Sequence, residues 1–344
     1  ARLSRVLDTP LPDSFNDKIT TPLPKLADSA TLKHAIEGVN INLREFYALQ
    51  DCELGTVVAE RNTSLGKSQL PSQRLVYESK LLNVLKSCEA ALTKENESNQ
   101  RNATLAATIA SWREQKTQNY SKTWANLVQG SQELRLALNT PERLFSVENN
   151  KDALSSVNAL YYINSLSNKG LLLSDMYSSN TASSDTETEA TNENNSESII
   201  ESSELEQQLK IIRSARLPAT LWHTQQTLTQ NLSLLTNLLE TQLDAVSCPE
   251  GCASDKAKIL RNVFYLFFIE EIQPVGSLVN QYHYKLAPLW EDWLSQPSLH
   301  QEFKRYIRQQ SQDGFNQYSS VMKAHVNLWQ GFLGRCNLSP VAPV

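Results

Sequence analysis

Apolar residues recur along this chain at steps of three and four, and that period dominates from about Leu32 onward. Leu43, Phe46, Tyr47, Leu54, Val57 and Val58 follow it up to about Asn62 and predict a first helix. Gly66 and Pro71 mark a break over residues 63–71. Ser72 is placed to cap a second helix with the apolar set Leu75, Leu82, Val84, Leu85 and Cys88. Leu105, Ile109 and Trp112 mark a third helix, and Trp124, Leu127 and Val128 a fourth. Thr140-Pro141-Glu142 has Pro at a first helical position and an acid in the first turn, so a further helix is expected to begin there and run through Leu154, Val157, Leu160 and Tyr161.

The C-terminal half continues the pattern. Helix resumes over 199–213, Pro218 resets the chain, and Leu221, Leu228, Leu232, Leu235, Leu239 and Leu243 form a long stripe. Residues 259–272 are apolar on nearly every face, which places that helix at the centre of a bundle, covered on several sides. Tyr318, Met322, His325, Trp329, Phe332 and Cys336 form one stripe of the last helix. No segment alternates with the two-residue period of a strand. The expected fold class is therefore all-α: a multi-helix bundle of roughly eight to ten helices with a Pro-rich extended N-terminal arm. The arm covers residues 1–30 and is punctuated by Pro10, Pro12, Pro22 and Pro24. Residues 31–340 then form a single all-helical domain.

Composition changes this picture at one place. Residues 178–198 consist only of Ser, Thr, Asn, Asp, Glu and Ala, with no side chain large enough to offset the entropy of ordering. They are expected to form a disordered acidic loop between two helices. The surrounding stretch 171–209 holds nine acids and no Lys or Arg, so the net charge of −5 belongs to that stretch and the rest is close to neutral. Nothing in this distribution points to nucleic acid. The longest apolar run, Val263 to Ile269, is too short to span a membrane. The chain begins at Ala1 rather than Met, so processing or trimming upstream is expected.

Tests for known chemistry are mostly negative. Gly66-Lys67-Ser68 resembles the end of a phosphate loop, but Arg61 stands where its first glycine belongs, and a helix rather than a strand precedes it. Ser64-x-x-Lys67 matches a serine-nucleophile motif whose companion motifs are missing. Glu270 and Glu271 are adjacent, so on a helix they point about 100° apart and cannot share one site. The five histidines show no ligand spacing, and His325, on an apolar stripe, reads as a hydrogen-bonded core residue. No metal site and no cofactor are expected. The segment that stands out is 60–78. Glu60, Arg61, Asn62, Ser72, Gln73, Arg74 and Glu78 crowd a helix–loop–helix junction. Arg61 or Arg74 can pair with Glu60 or Glu78, and Asn62, Ser64 and Ser72 can cap. Alternatively, two guanidinia and polar amides beside a helix start can hold an anionic group.

Five cysteines occur, none in a CxxC pair, and their connectivity stays open on these grounds. The run from Cys52 through Val57-Val58-Ala59-Glu60-Arg61-Asn62-Thr63-Ser64-Leu65-Gly66 and Pro71-Ser72-Gln73-Arg74-Leu75-Val76-Tyr77-Glu78 to Cys88 resembles an uncharacterised proteobacterial family, domain of unknown function 3080. Leu260-Arg261-Asn262-Val263-Phe264, Ile272-Gln273-Pro274, Trp329 and Cys336 extend the resemblance over most of the chain. The resemblance implies an envelope protein of lipoprotein type, with its lipid-bearing Cys upstream of Ala1 and the Pro-rich arm as tether. It also implies the pairs Cys52–Cys88 and Cys248–Cys336, with Cys252 free. It offers no catalytic residues. The expected function is a non-enzymatic binding or scaffold module on the periplasmic side of the Gram-negative envelope. Its partners would be the membrane, through that anchor, and an envelope protein. The alternative is an enzyme acting on an anionic envelope substrate at the 60–78 junction, with Glu60, Arg61, Asn62, Arg74 and Glu78 as participants.

Overall fold

The structure, a computed structural model, describes residues 24–38, 52–94, 100–139, 143–148, 150–175 and 200–340, with single positions 5, 47 and 49. It is all-α, and no strand occurs among these residues. In chain order, the elements are α1 (Ser29–Leu32), α2 (Leu54–Asn62), α3 (Ser64–Lys67), α4 (Pro71–Lys94), α5 (Gln100–Gly130), α6 (Gln132–Leu138), α7 (Ala153–Asp175), α8 (Ser202–Ala215) and α9 (Leu217–Asp244). Then follow α10 (Asp255–Val263), a π-helical segment Phe264–Ile272 that runs on into α11 (Gln273–Ser295), and α12 (Gln301–Arg308), which continues through a second π-helical segment, Gln309–Asp313, into α13 (Gly314–Arg335). Apart from the single turns α1 and α3, these make nine helices, within the expected eight to ten.

Several local expectations change. The predicted third and fourth helices are one continuous helix of 31 residues, α5, because nothing between Trp112 and Trp124 breaks it. The cap-like start at 140–142 lies outside the described residues, and the helix that follows begins only at Ala153. The acidic loop 178–198 and most of the Pro-rich arm also lie outside them. The described end of the arm, from Pro24, lies against the body: Leu26 and Leu32 are buried, and residues 29–32 form a helical turn.

Three groups of buried side chains hold the fold. The largest centres on Trp124 and Trp293, both 0 % exposed, and joins α4–α9 to α11 and α12. Its aromatic residues carry polar handles that reach backbone carbonyls: Trp124 Nε1 donates to Ile163 O (2.8 Å), Tyr120 Oη to Leu166 O (3.0 Å) and Tyr306 Oη to Leu138 O (2.6 Å). Two smaller groups flank it. One joins α2, α4 and α5 through Val57, Leu81, Leu85 and Ile109. The other joins the end of α9, α10 with the first π-helical segment, and α13. Each smaller group contains a disulfide. Cys52–Cys88 has Cα atoms 5.8 Å apart and Cys248–Cys336 5.1 Å, while Cys252 is free and exposed. Cys52 lies at a bend just before α2 rather than on it.

The 259–272 stretch is not the covered centre of the bundle. Leu260, Phe264 and Phe268 are buried, but Ile259, Leu266 and Phe267 are 49 %, 39 % and 43 % exposed. Pro274 explains the geometry. It has no N–H to give Glu270 and its ring would press on that carbonyl, so the preceding turns widen and Gln273 N–H bonds Phe268 O, five residues back. The segment packs at the end of the bundle against α9 and α13, and mean apolarity cannot distinguish that position from a centre.

His325 is the buried, hydrogen-bonded core residue its stripe predicts, 1 % exposed. Trp329 Nε1 donates to His325 Nε2 (3.1 Å). Thr236 Oγ1 already donates to Leu232 O (2.7 Å), so at 2.8 Å it accepts from His325 Nδ1, which fixes the neutral Nδ1–H tautomer. Burial lowers its pKa to about 4, and burial likewise lowers that of His283, stacked on Phe315, to about 4. The unfolded chain therefore takes up protons that the fold refuses between pH ~6.5 and ~4. Stability from His325 is complete above that window and falls as pH drops through it, by roughly 3 kcal/mol at 1.36 kcal/mol per pKa unit. Urea melts from pH 7 to 4 should show this loss, and His325→Gln should flatten the slope. An unchanged slope would contradict the assignment.

Candidate functional site

Caps build the 60–78 junction, but neither Asn62 nor Ser72 supplies one. Thr63, not Asn62, ends α2: its Oγ1 donates to Glu60 O (2.8 Å) and accepts from Gly66 N–H (3.0 Å). Arg61 Nη1 also donates to Gly66 O. Gly66 is required by space, since a Cβ there would meet the Glu60 and Arg61 carbonyls. At the start of α4, Leu70 occupies the cap position and Pro71 the first helical one. Gln73 Oε1 accepts from Leu70 N–H (3.0 Å), the reach-back half of a capping box. Ser72 is buried inside the first turn and is not the cap.

This junction forms one wall of a cleft of about 850 Å³. Arg61, Lys67, Gln69, Pro71 and Arg74 come from it. The opposite walls are the stretch from Ser29 to Ile36 and the face of α5 carrying Thr123, Asn126 and Gln129. Paired amide bonds lock these walls together. His34 N–H donates to Asn126 Oδ1 (2.7 Å) and Asn126 Nδ2 to His34 O (2.9 Å). Gln129 Nε2 donates to Leu32 O (2.5 Å), and Gln129 Oε1 accepts from His300 N–H (3.1 Å). His34 Nε2 donates to Ser298 O (2.6 Å). Each amide thus bonds at both ends to backbone, which makes the wall rigid.

The electrostatics are one-sided. Among the described residues, Lys33, Arg61, Lys67 and Arg74 line the cleft and no carboxylate does. Arg74 is held from behind: its Nη2 pairs with Glu78, and its guanidinium lies 5.3 Å from the Tyr77 ring centroid. Glu78, 1 % exposed, also accepts from the buried Lys116 at 3.2 Å. Burial first, and then the charge of Arg74, lowers the pKa of the Arg61 guanidinium. Two polar atoms of lining residues are buried without a partner, Arg74 Nη1 and Gln69 Oε1.

Of the residues singled out in the sequence, Arg61 and Arg74 line the cleft, and Glu78 stands behind Arg74. Glu60 faces away, in an exposed pair with Lys80 (3.2 Å). Asn62 and Gln73 are exposed outside the cleft and Ser72 is buried outside it. Sequence reading missed Lys33 and the α5 face, which belong to segments with no local motif, and passed over Gln69 inside the junction itself. Among the described residues, no group of three or more His, Cys, Asp or Glu side chains could hold a metal, and no helix is long and apolar enough to cross a membrane.

A family model described as a protein of unknown function (DUF3080) matches residues 1–188 and 173–340. The two stretches overlap over residues 173–188. Neither the curated proteins nor the solved structures contain a match.

Proposed function

We propose, from the premise that the chain belongs to the DUF3080 family of proteins of unknown function, that it is a non-enzymatic binding module of the cell envelope whose cationic cleft takes up an anionic group. The observation that carries this reading is the cleft lining itself: among the described residues, four cations and no acid line a rigid-walled cavity. An anion there would relieve the repulsion between Arg61 and Arg74. The amides of Asn126 and Gln129 are engaged with backbone, and the Thr123 hydroxyl donates to Asn119 O (3.2 Å), so the lining favours holding a group over reacting with it.

The two disulfides support an oxidising compartment. The periplasmic side of a Gram-negative envelope, a lipid anchor at the N-terminal arm and an envelope protein partner complete the proposal.

Two measurements test it. Thermal melts at low ionic strength should rise with inorganic phosphate or citrate, and Arg61→Gln should weaken that apparent affinity by about tenfold or more, as expected for a lost charge-assisted hydrogen bond. No anion-dependent shift in the native protein would remove the cleft from consideration. Alkylation of protein taken from its native compartment should label Cys252 alone before reduction and all five cysteines after it. Five labelled thiols before reduction would rule out the exported state.

A further inference from the structure

A groove of about 540 Å³ lies between α13 and the first π-helical segment with the start of α11. It shares no lining residue with the cationic cleft. Phe264, Phe268 and Leu333 form its buried floor, with Ile269, Met322 and Val326 half-buried beside them. Gln273, Ser277 and Asn280 stand exposed along one rim, at spacings of four and three on α11, so they share one side. Among the described residues, no charged side chain lines the groove. An ionic ligand therefore finds no counter-charge there. An apolar strand with unpaired backbone carbonyls finds both a floor for its side chains and amide and hydroxyl donors at the rim.

The chain itself turns into this groove. α13 ends in a Schellman cap: Asn337 takes the left-handed conformation (φ 52°), its N–H donates to Gly334 O (3.1 Å), and Leu338 N–H donates to Leu333 O (2.8 Å). That cap reverses the chain, so Leu338 packs against the apolar group containing Trp329, and both Leu338 and Pro340 line the groove. Residues 341–344, Val-Ala-Pro-Val, continue from Pro340 and are all apolar. Pro340 and Pro343 are three residues apart, one turn of a polyproline II helix, whose carbonyls make no internal hydrogen bonds. Aromatic-lined grooves are a recurrent seat for such strands. The length fits as well. Met322, Val326, Gln330 and Gly334 line the groove in steps of four, over about 18 Å of α13 at the helical rise. Four residues of polyproline II cover about 12 Å. We propose that residues 341–344 lie along the groove as a polyproline II strand running back beside α13, with apolar side chains on Phe264, Phe268 and Val326 and carbonyls toward Gln273, Ser277 and Asn280. The groove is then a seat for a proline-containing apolar strand, taken in cis by the continuation of this chain.

Photo-cross-linking of the full chain with its disulfides intact tests this. With Ala342→p-benzoylphenylalanine, irradiation is expected to join position 342 to peptides covering 264–280 or 322–334 of the same chain, read by mass spectrometry after digestion. Adding Ser277→Trp, at an exposed rim position, fills the groove and should abolish those cross-links. Cross-links that persist with Ser277→Trp would place position 342 outside the groove. Cross-links between chains instead of within one would give the groove to a second copy and overturn the placement in cis. Cross-links to other parts of the body, or none, would overturn the proposal outright. Emission of the neutral dye Nile red provides an independent reading. Val341→Asp with Pro343→Asp sets two charges against an uncharged groove, so dye emission at neutral pH should rise above that of the native chain, and Ser277→Trp should remove the rise. Equal emission from the native chain and the double variant would show that residues 341–344 do not cover the groove.

Discussion

Glu78→Gln is expected to destabilise the protein by roughly 3–5 kcal/mol, read as a lower urea midpoint at unchanged slope. Glu78 is 1 % exposed and stands between Lys116, 5 % exposed, and Arg74. The amide keeps the shape but removes the charge opposing the buried Lys116 and the mostly buried Arg74. Glu60→Gln is the control. Its pair with Lys80 has side chains 52 % and 36 % exposed, and pairs of that kind contribute about 0–1 kcal/mol. Equal costs for the two exchanges would show that the Glu78 triad is solvated and not a buried ion cluster. Glu78 Oε2 is buried without a hydrogen bond, so the triad is not what stability alone would select. Replacing Lys116 as well, in Glu78→Leu with Lys116→Met, should recover the part of the loss that comes from the buried ammonium, while Arg74 still lacks its counter-charge. The triad's effect on the cleft is to hold Arg74 in place, so the double variant should be more stable than Glu78→Gln and still lose anion binding.

Removing the Cys248–Cys336 bridge by a double exchange to Ala has the second large effect, roughly 4–5 kcal/mol in the chain-entropy treatment for a separation of 88 residues. Cys52–Cys88, with a separation of 36, gives about 4 kcal/mol on the same basis. Where the loss falls matters more than its size. Each bridge lies in one of the two smaller apolar groups, and the large group around Trp124 and Trp293 has none. The small groups bury few side chains and depend on covalent closure. After removal of Cys248–Cys336, hydrogen exchange should quicken over 232–272 and 321–336, with α5 still protected, and the thermal transition should lose its two-state form. Uniform acceleration across the chain would mean that the three groups unfold as one unit.

The helical class was legible from the residues because helix periodicity is a local property. The stripes Leu75–Cys88, Leu221–Leu243 and Tyr318–Cys336 are buried along their length or packed against the buried groups, and His325 took its predicted role because its neighbours at three and four residues are apolar. Local reading failed where two arrangements share one pattern. An uninterrupted α5 and two shorter helices have the same spacing, and the apolar 259–272 stretch looks central until Pro274 and its place at the bundle's end leave Leu266 and Phe267 exposed.

The candidate site divides along the same line. Arg61, Arg74 and Glu78 were visible because they cluster within one junction, and i,i+4 spacing on α4 brings Arg74 to Glu78. Lys33, the α5 face and the Lys116 partner of Glu78 were not, because each arrives through chain closure over tens of residues. The sequence by itself determined helix content, the apolar stripes and a polar junction, all set by spacing within a few turns. Tertiary structure alone decided which charges face each other, which are taken out of water, and that four cations share one cleft, because those depend on how distant helices pack and not on any local period.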